Sequence, residues 1–319
     1  CARERLLSQP DRQQRRHGLA QASVDNAAQG RPKMRILSCF VLFFVIGSAQ
    51  SKQSDPVVLI AGDVAQCDSP GAQYTAQMIK AMPYPVLAVG DMAYPKGTPE
   101  EFANCYEPTW GAFKDRTYPV PGNHDYGTPG AAGYFAYFGA RAGDPAKGYY
   151  SFNHGQWHIV MLNSSRELEP GSPQLAWLAA DLRQHAQQCV LAIWHHPRFS
   201  SGKHGNDMRT QALWEALYQH GVSVLVTAHD HDYERFAAMN DVGERDELRG
   251  IRSFVAGTGG ARLYELKQRH PLSQVWQGDH WGVLKLTLRP LGYDWEFLPV
   301  AGGKFQDAGS APCVKRRQP

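Results

Sequence analysis

Several things are missing from this chain, and each absence narrows its class. No apolar run approaches the roughly 20 residues that a membrane-spanning helix needs; the longest, residues 36–46, has 11. None of the six cysteines forms a Cys-x-x-Cys pair, the usual spacing of a zinc site. No repeat of fixed period and no Pro-rich or Ser-rich linker divides the 319 residues, so one large domain is the simpler expectation. Neither charge dominates, with 33 Lys and Arg against 30 Asp and Glu. At 43% hydrophobic and 20% charged, the composition is that of an ordinary globular protein.

The first 49 residues depart from that average. Residues 1–33 are polar, rich in Arg and without apolar periodicity. Met34 opens a new pattern: Arg35, the apolar run, then Gly47-Ser48-Ala49 as a small-residue cleavage site. These are the three parts of a secretory signal peptide. The expectation is a signal at 34–49, a single domain over 50–319, and a segment 1–33 that is either upstream sequence or a disordered tail. A twin-arginine signal at Arg15-Arg16 lacks a nearby apolar run, and Cys39 lies inside the run rather than at its end, where lipid attachment would need it. Residues 1–49 hold eight of the basic and three of the acidic residues, leaving 25 against 27. The formal net charge of +3 thereby becomes about −2, which removes any field-level attraction to nucleic acid or acidic membranes. A secreted or periplasmic protein with no nucleic-acid partner and no membrane anchor after cleavage is expected.

What the chain does have is a series of apolar runs, each ending in a polar motif. PVVLIAG leads to Asp63, YPVLAVG to Asp91 and Tyr94, TYPVPG to Asn123-His124-Asp125, CVLAIW to His195-His196-Pro197, and VSVLVTA to His229-Asp230-His231. An isolated Gly-Asp pair is an ordinary turn, and an isolated His-x-His is often a simple surface feature. Their ordered recurrence after strand-like runs is different, because open α/β sheets build their sites at strand ends. Carboxylate, amide and imidazole ligands delivered from several strand ends suit a two-metal centre. Helical spacing marks 75–82, 99–113, 172–187 and 207–220, and 149–163 reads as two strands around an Asn-His-Gly turn. Three further strand-like runs, IRSFVAGT, GVLKLTL and YDWEFLPV, fill the last third.

In this order the motifs resemble the calcineurin-like metallophosphoesterases, over residues 57–232. Tyr94, three residues after Asp91 in Gly-Asp-x-x-Tyr, resembles the purple acid phosphatase branch. The resemblance implies an α/β (α+β) fold, a four-layer α-β-β-α sandwich with two mixed sheets, which βα alternation followed by late hairpins also suits. It implies that Asp63, Tyr94 and His231 bind one metal, that Asp91 bridges, and that Asn123, His195 and His229 bind the other. The cofactors would be two metal ions, Fe(III) with divalent Zn, Mn or Fe, since a tyrosinate favours a hard trivalent ion. Of the adjacent pair, His195 is the expected ligand, and strand alternation turns His196 the other way, towards the core or behind the ligands. Ala228 departs from the usual Gly before His-x-His, adding a methyl that would shift His229 slightly while removing no ligand.

The implied reaction is phosphoester hydrolysis by a metal-bridging hydroxide, formed near neutral pH because two cations lower the pKa of a shared water. The leaving alkoxide then needs a proton. His124, oriented by its neighbour Asp125, is the first candidate for that role. His204, in the loop 200–205, is the second, and Lys203 is a candidate phosphate contact. An exported, acid phosphatase-like phosphomonoesterase acting on a small phosphorylated substrate is the favoured expectation. A phosphodiesterase or nucleotidase with the same metal site is the alternative, and a non-catalytic phosphate-binding protein is a further one that His124 argues against. Cys67, Cys105, Cys189 and Cys313 remain after cleavage, an even count that favours disulfides in an exported protein. If the strands before Asp63 and Asp91 are neighbours, Cys67 pairs with Cys105, and Cys189 with Cys313 would staple the tail to the sheet.

Overall fold

Strands β1 (Val57–Ala61), β2 (Val86–Val89) and β3 (Thr117–Val120) run parallel in one sheet. The computed structural model that shows this describes residues 54–185, 189–266 and 268–315; the signal-peptide and upstream readings lie outside the described residues. Next come β4 (Tyr150–His154), β5 (Trp157–Met161), β6 (Cys189–Ile193), β7 (Val224–Thr227), β8 (Tyr233–Phe236), β9 (Arg252–Ala256) and β10 (Ser273–Gln277). The late hairpins add β11 (Gly282–Arg289), β12 (Gly292–Pro299) and β13 (Ala308–Pro312). The first sheet has the order β13-β12-β11-β1-β2-β3 and the second β10-β8-β9-β7-β6-β5-β4. Both are mixed: β1 to β3 are parallel while β11 to β13 are antiparallel, and β5, β6, β7 and β9 are parallel while β4, β8 and β10 pair antiparallel.

Strand alternation explains the layers. Val58 and Ile60 of β1, with Leu87 and Val89 of β2, point at Ile159, Met161, Leu191 and Ile193 of the second sheet and form the inter-sheet core. The intervening Leu59 and Ala61 face outwards onto α1 (Gly71–Lys80), and this outer layer also takes in aromatic residues after α2 (Pro99–Glu101) and from α3 (Ala132–Phe138). Across the molecule, Val160, Val190 and Leu225 pack on α4 (Pro173–Gln184) and α5 (Gln211–Gln219). Burial on both faces is why the central strands read as unbroken apolar runs. The four-layer α-β-β-α sandwich is the observed architecture.

Two local differences from the sequence reading have clear causes. The stretch 99–113 is not one helix: α2, with a Thr98–Glu101 capping box, passes into a wide turn at Phe102–Tyr106 and then tight turns at Trp110–Arg116. Pro108 lies at the break, where it lacks a backbone donor and clashes with a continuing helix. Helix α3 carries the buried Tyr134, Phe135 and Phe138 between two glycines, which hide its periodicity. The disulfides Cys67–Cys105 and Cys189–Cys313 form as expected. The second joins β6 of one sheet to the segment after β13 of the other, so it ties sheet to sheet. Among the described residues no helix is long and apolar enough to cross a membrane.

Candidate metal centre

The C-terminal ends of β1, β2, β3, β6 and β7 converge at one edge of the sandwich. Tyr94 marks the middle of the first group of donors. Its hydroxyl donates to Asp63 Oδ1 at 2.7 Å, and lies 3.3 Å from Asp91 Oδ2 and 3.1 Å from His231 Nε2. Asp91 Oδ2 also lies 3.1 Å from His195 Nε2, so this one carboxylate touches the Tyr94 group and the histidine from the other sheet. That is the place a bridging ligand would occupy. His229 enters through its backbone, whose N–H donates to Asp63 Oδ2 at 2.8 Å, and its ring lies 5.0 Å from that of His195.

Backbone carbonyls fix the orientation of two of the imidazoles. His195 Nδ1 donates to the Val89 carbonyl at 2.8 Å and His231 Nδ1 to the Arg262 carbonyl at 2.7 Å, which turns both Nε2 atoms inwards. His195 Nε2 is close to Asp91 but makes no directed hydrogen bond, and Asn123 Oδ1 is likewise buried without one. Buried polar atoms normally find partners. Two orphaned donor atoms beside two buried carboxylates and a buried phenol are a set that fits cations, with oxygen for hard ions and imidazole for Fe, Zn or Mn.

Electrostatics without a cation shows the competition that metal must win. Burial opposes charge on His195, yet the Asp91 carboxylate outweighs it and lifts the imidazole to about 9. Burial likewise pushes the Asp91 carboxyl up, but His195 and His124 hold it well below the usual carboxylate range. Burial first, then Asp63 and Asp91, keep the Tyr94 phenol well above its ordinary value, so a phenolate there requires a strong Lewis acid. His229 is pushed down to about 2 by burial and by His195 and His204, leaving it neutral and able to bind metal.

Backbone geometry shows what delivers these side chains. Gly90 has φ +82°, and a Cβ there would strike the His195 ring. Ala228, whose extra methyl the sequence flags, is accommodated: that methyl fills the space a Cβ on Gly62 would need, and the left-handed conformation falls on His229 itself, at φ +70°. His196 lies where expected, buried behind the candidate ligands, although for a different reason. Strand β6 ends at Ile193, so alternation no longer governs it, and its ring packs 4.5 Å from His229 and 4.9 Å from His195. It backs the two rings while its Nδ1 bonds Ser164 Oγ at 2.8 Å.

The proton-donor candidates are arranged differently from their motif. His124 borders the centre, with Nε2 3.9 Å from Asp91 Oδ2, but its Nδ1 is held by the Pro95 carbonyl at 2.6 Å. Asp125 does not hold that ring. Its buried carboxylate accepts from the backbone N–H groups of Asp91, Met92 and Gly122 at 2.8–3.0 Å. The reason is that adjacent residues on this turn point opposite ways. Of the two proton-donor candidates, the one whose Nδ1 meets a carboxylate is His204, 3.0 Å from Asp230 Oδ1. Asp230 reads in the sequence only as a spacer between two histidines. Tyr264 and Arg262 also escape sequence reading, since they arrive on a segment without a motif. Tyr264 stacks on His231 at 4.0 Å, and Lys203 Nζ sits 3.6 Å from the centre of the Tyr264 ring. Together with Tyr94, His124, Gln66 and Asp68, Tyr264 and Arg262 line a cleft of about 540 Å³ beside the centre.

The family model for calcineurin-like phosphoesterases matches residues 45–233, and the chain belongs to that family. It is 27% identical over 210 residues to probable purple acid phosphatase 20 of Arabidopsis thaliana, covering 56% of this chain and 46% of that protein. To purple acid phosphatase 21 of the same plant it is 29% identical over 245 residues, covering 67% and 53%. The chain thus spans about half the length of the curated relatives it matches. The structure of a purple acid phosphatase from yellow lupin (Lupinus luteus) seeds aligns with a TM-score of 0.71 at 20% identity, over 83% of this chain and 54% of that one, and this likeness concerns the fold.

Proposed function

We propose that this chain is an exported, two-metal phosphoester hydrolase, an acid phosphatase-like phosphomonoesterase. The observation that supports the reading is the cluster of Asp63, Asp91, Tyr94, His195 and His231, with Asp91 Oδ2 3.3 Å from the Tyr94 hydroxyl and 3.1 Å from His195 Nε2; His229 stands beside it at the end of β7, and Asn123 follows β3. Asp63, Tyr94 and His231 would hold one cation, Asn123, His195 and His229 the other, and Asp91 both. The phenol of Tyr94 favours Fe(III) on its side, with divalent Zn, Mn or Fe opposite. Bound cations would supply the charge that activates a shared water and offsets the phosphoryl oxygens.

The chain's own groups do the rest. The cleft of about 540 Å³ suits a small phosphorylated substrate, with Arg262 at its rim in an ion pair with Asp68 at 2.7 Å. His124 and His204 flank the centre as the groups able to protonate a leaving alkoxide. The signal-peptide reading and the two disulfides support export.

The test is metal analysis of the purified protein with a panel of phosphomonoesters and phosphodiesters. We expect two metal equivalents per chain and faster turnover of monoesters, and Asp91→Ala should lose both metal and turnover because its carboxylate touches both groups. Near-normal metal and activity in Asp91→Ala would overturn the two-metal reading. A metal-replete wild type that binds phosphate without hydrolysing any ester would make it a binding protein instead.

A further inference from the structure

Asp230 stands between two candidate ligands yet points away from both. Its side chain is fully buried and lies under the loop that follows β6. Oδ2 accepts from Ser200 Oγ at 2.6 Å, while Oδ1 accepts from the His204 backbone N–H at 3.1 Å and faces His204 Nδ1 at 3.0 Å. Gly202 closes the loop over the carboxylate, where a Cβ would collide with it. A buried carboxylate is expensive unless its oxygens are bonded. Here the bonds go to one loop, so Asp230 anchors that loop onto the end of β7.

The consequence falls on the His204 ring. It lies 4.2 Å from the His229 ring and 5.9 Å from Tyr264, and its side chain remains 33% exposed. With Nδ1 engaged by Asp230, Nε2 is the ring nitrogen left to meet a substrate above His229. His124 has a backbone carbonyl on its Nδ1, and its Nε2 lies 3.9 Å from the Asp91 carboxylate, so no carboxylate orients that ring through Nδ1 as Asp230 does for His204.

We propose that Asp230 is a positioning residue that holds the His204 imidazole over His229, so that Nε2 delivers a proton to the leaving oxygen of the substrate. The proposal rests on the phosphoester hydrolase reading and deepens it. The step balances simply: a water oxygen bonds to phosphorus, the P–O ester bond breaks, and the departing alkoxide takes the proton from His204 Nε2. The proton shed by the attacking water passes to solvent, from which the ring is restored.

The experiment uses the metal-loaded enzyme with alkyl and activated aryl phosphates, in Asp230→Asn, His204→Gln and the double variant. Asp230→Asn should keep both metals and lose kcat on the alkyl phosphate on the order of 10²-fold, with much less loss on the aryl phosphate and a smaller change in KM. In the His204→Gln background, Asp230→Asn should cost nothing further. Equal losses on both substrates, or losses that multiply in the double variant, would overturn the proposal. If Asp230→Asn sheds metal, Ser200→Ala decides, because it removes a support of the carboxylate without touching a ligand's neighbour. A loss skewed towards the alkyl phosphate then sustains the proposal, and a uniform loss or none overturns it. A wild type that hydrolyses no phosphoester at all would instead reject the underlying hydrolase reading.

Discussion

Asp63, Asp91 and His229 all adopt left-handed backbone conformations, with φ of 56°, 54° and 70°. For non-glycine residues each such conformation costs of order 1 kcal/mol, and strain of this kind gathers at functional sites. Here it turns each side chain back across the strand end towards the same space. Tyr94 shows the same logic in electrostatic form. Burial and two carboxylates oppose its ionisation, so only a strong Lewis acid makes it a ligand. We expect the purified protein to absorb in the visible through phenolate-to-Fe(III) charge transfer. Tyr94→Phe should remove that band and leave the fold intact, since Phe keeps the ring but lacks the oxygen. A colourless, fully active protein with two equivalents of Zn or Mn would remove Tyr94 from the iron site and leave the other six donors in place.

At the level of elements, the loops after β2 and β3 act as one unit because Asp125 joins them. Its carboxylate accepts from Asp91 and Met92 on one loop and from Gly122 on the other. In Asp125→Ala three buried backbone amides lose their acceptor, and leaving such groups unsatisfied is costly, so we expect a loss of about 2–4 kcal/mol. Metal content should fall as well, because Asp91 and Asn123 flank this junction. Denaturant unfolding and metal analysis check both expectations, and an unchanged midpoint would show that water replaces the carboxylate. The Cys67–Cys105 disulfide ties the segment after β1 to the turn after α2, and Cys67 reaches the lip of the cleft.

Across the whole molecule, one sheet carries Asp63, Asp91, Tyr94 and Asn123 and the other carries His195, His229 and His231. Bound metal would therefore clip the sheets together at one end, as Cys189–Cys313 does between β6 and the tail. Chelation should lower the melting temperature; a ligand at 100 times its dissociation constant contributes about 2.7 kcal/mol. The pH dependence has a definite sign. His195 rises from 6.5 to about 9 in the metal-free fold, so its pairing with Asp91 stabilises that fold fully below 6.5 and fades as pH climbs through about 9. Metal needs the deprotonated ring and must displace that proton below about 9. The melting gap between loaded and chelated protein should therefore widen between roughly pH 6 and roughly pH 8. Thermal scans in both states would show it, and a gap that stays constant would argue that His195 is not a ligand.

The strand ends and their donors were legible in the sequence because both signals are local. An unbroken apolar run marks a strand buried on two faces, and the polar residues directly after it lie at that strand's end. Ala228 was legible as a departure, but its effect was not, since the methyl meets Gly62 on the other sheet. The helix at 99–113 failed for a local reason, Pro108, that apolar spacing outweighed. The partnering of imidazoles and carboxylates was decided only in three dimensions. Asp125 follows His124 in the chain, yet a turn points the two side chains apart. Asp230 and His204 are 26 residues apart and meet because the loop after β6 folds back over the end of β7. Tyr264 and Arg262 likewise reach the centre only through the path of the segment after β9. Local patterns determine which residues stand at a strand end, whereas the packing of distant segments decides which of them touch.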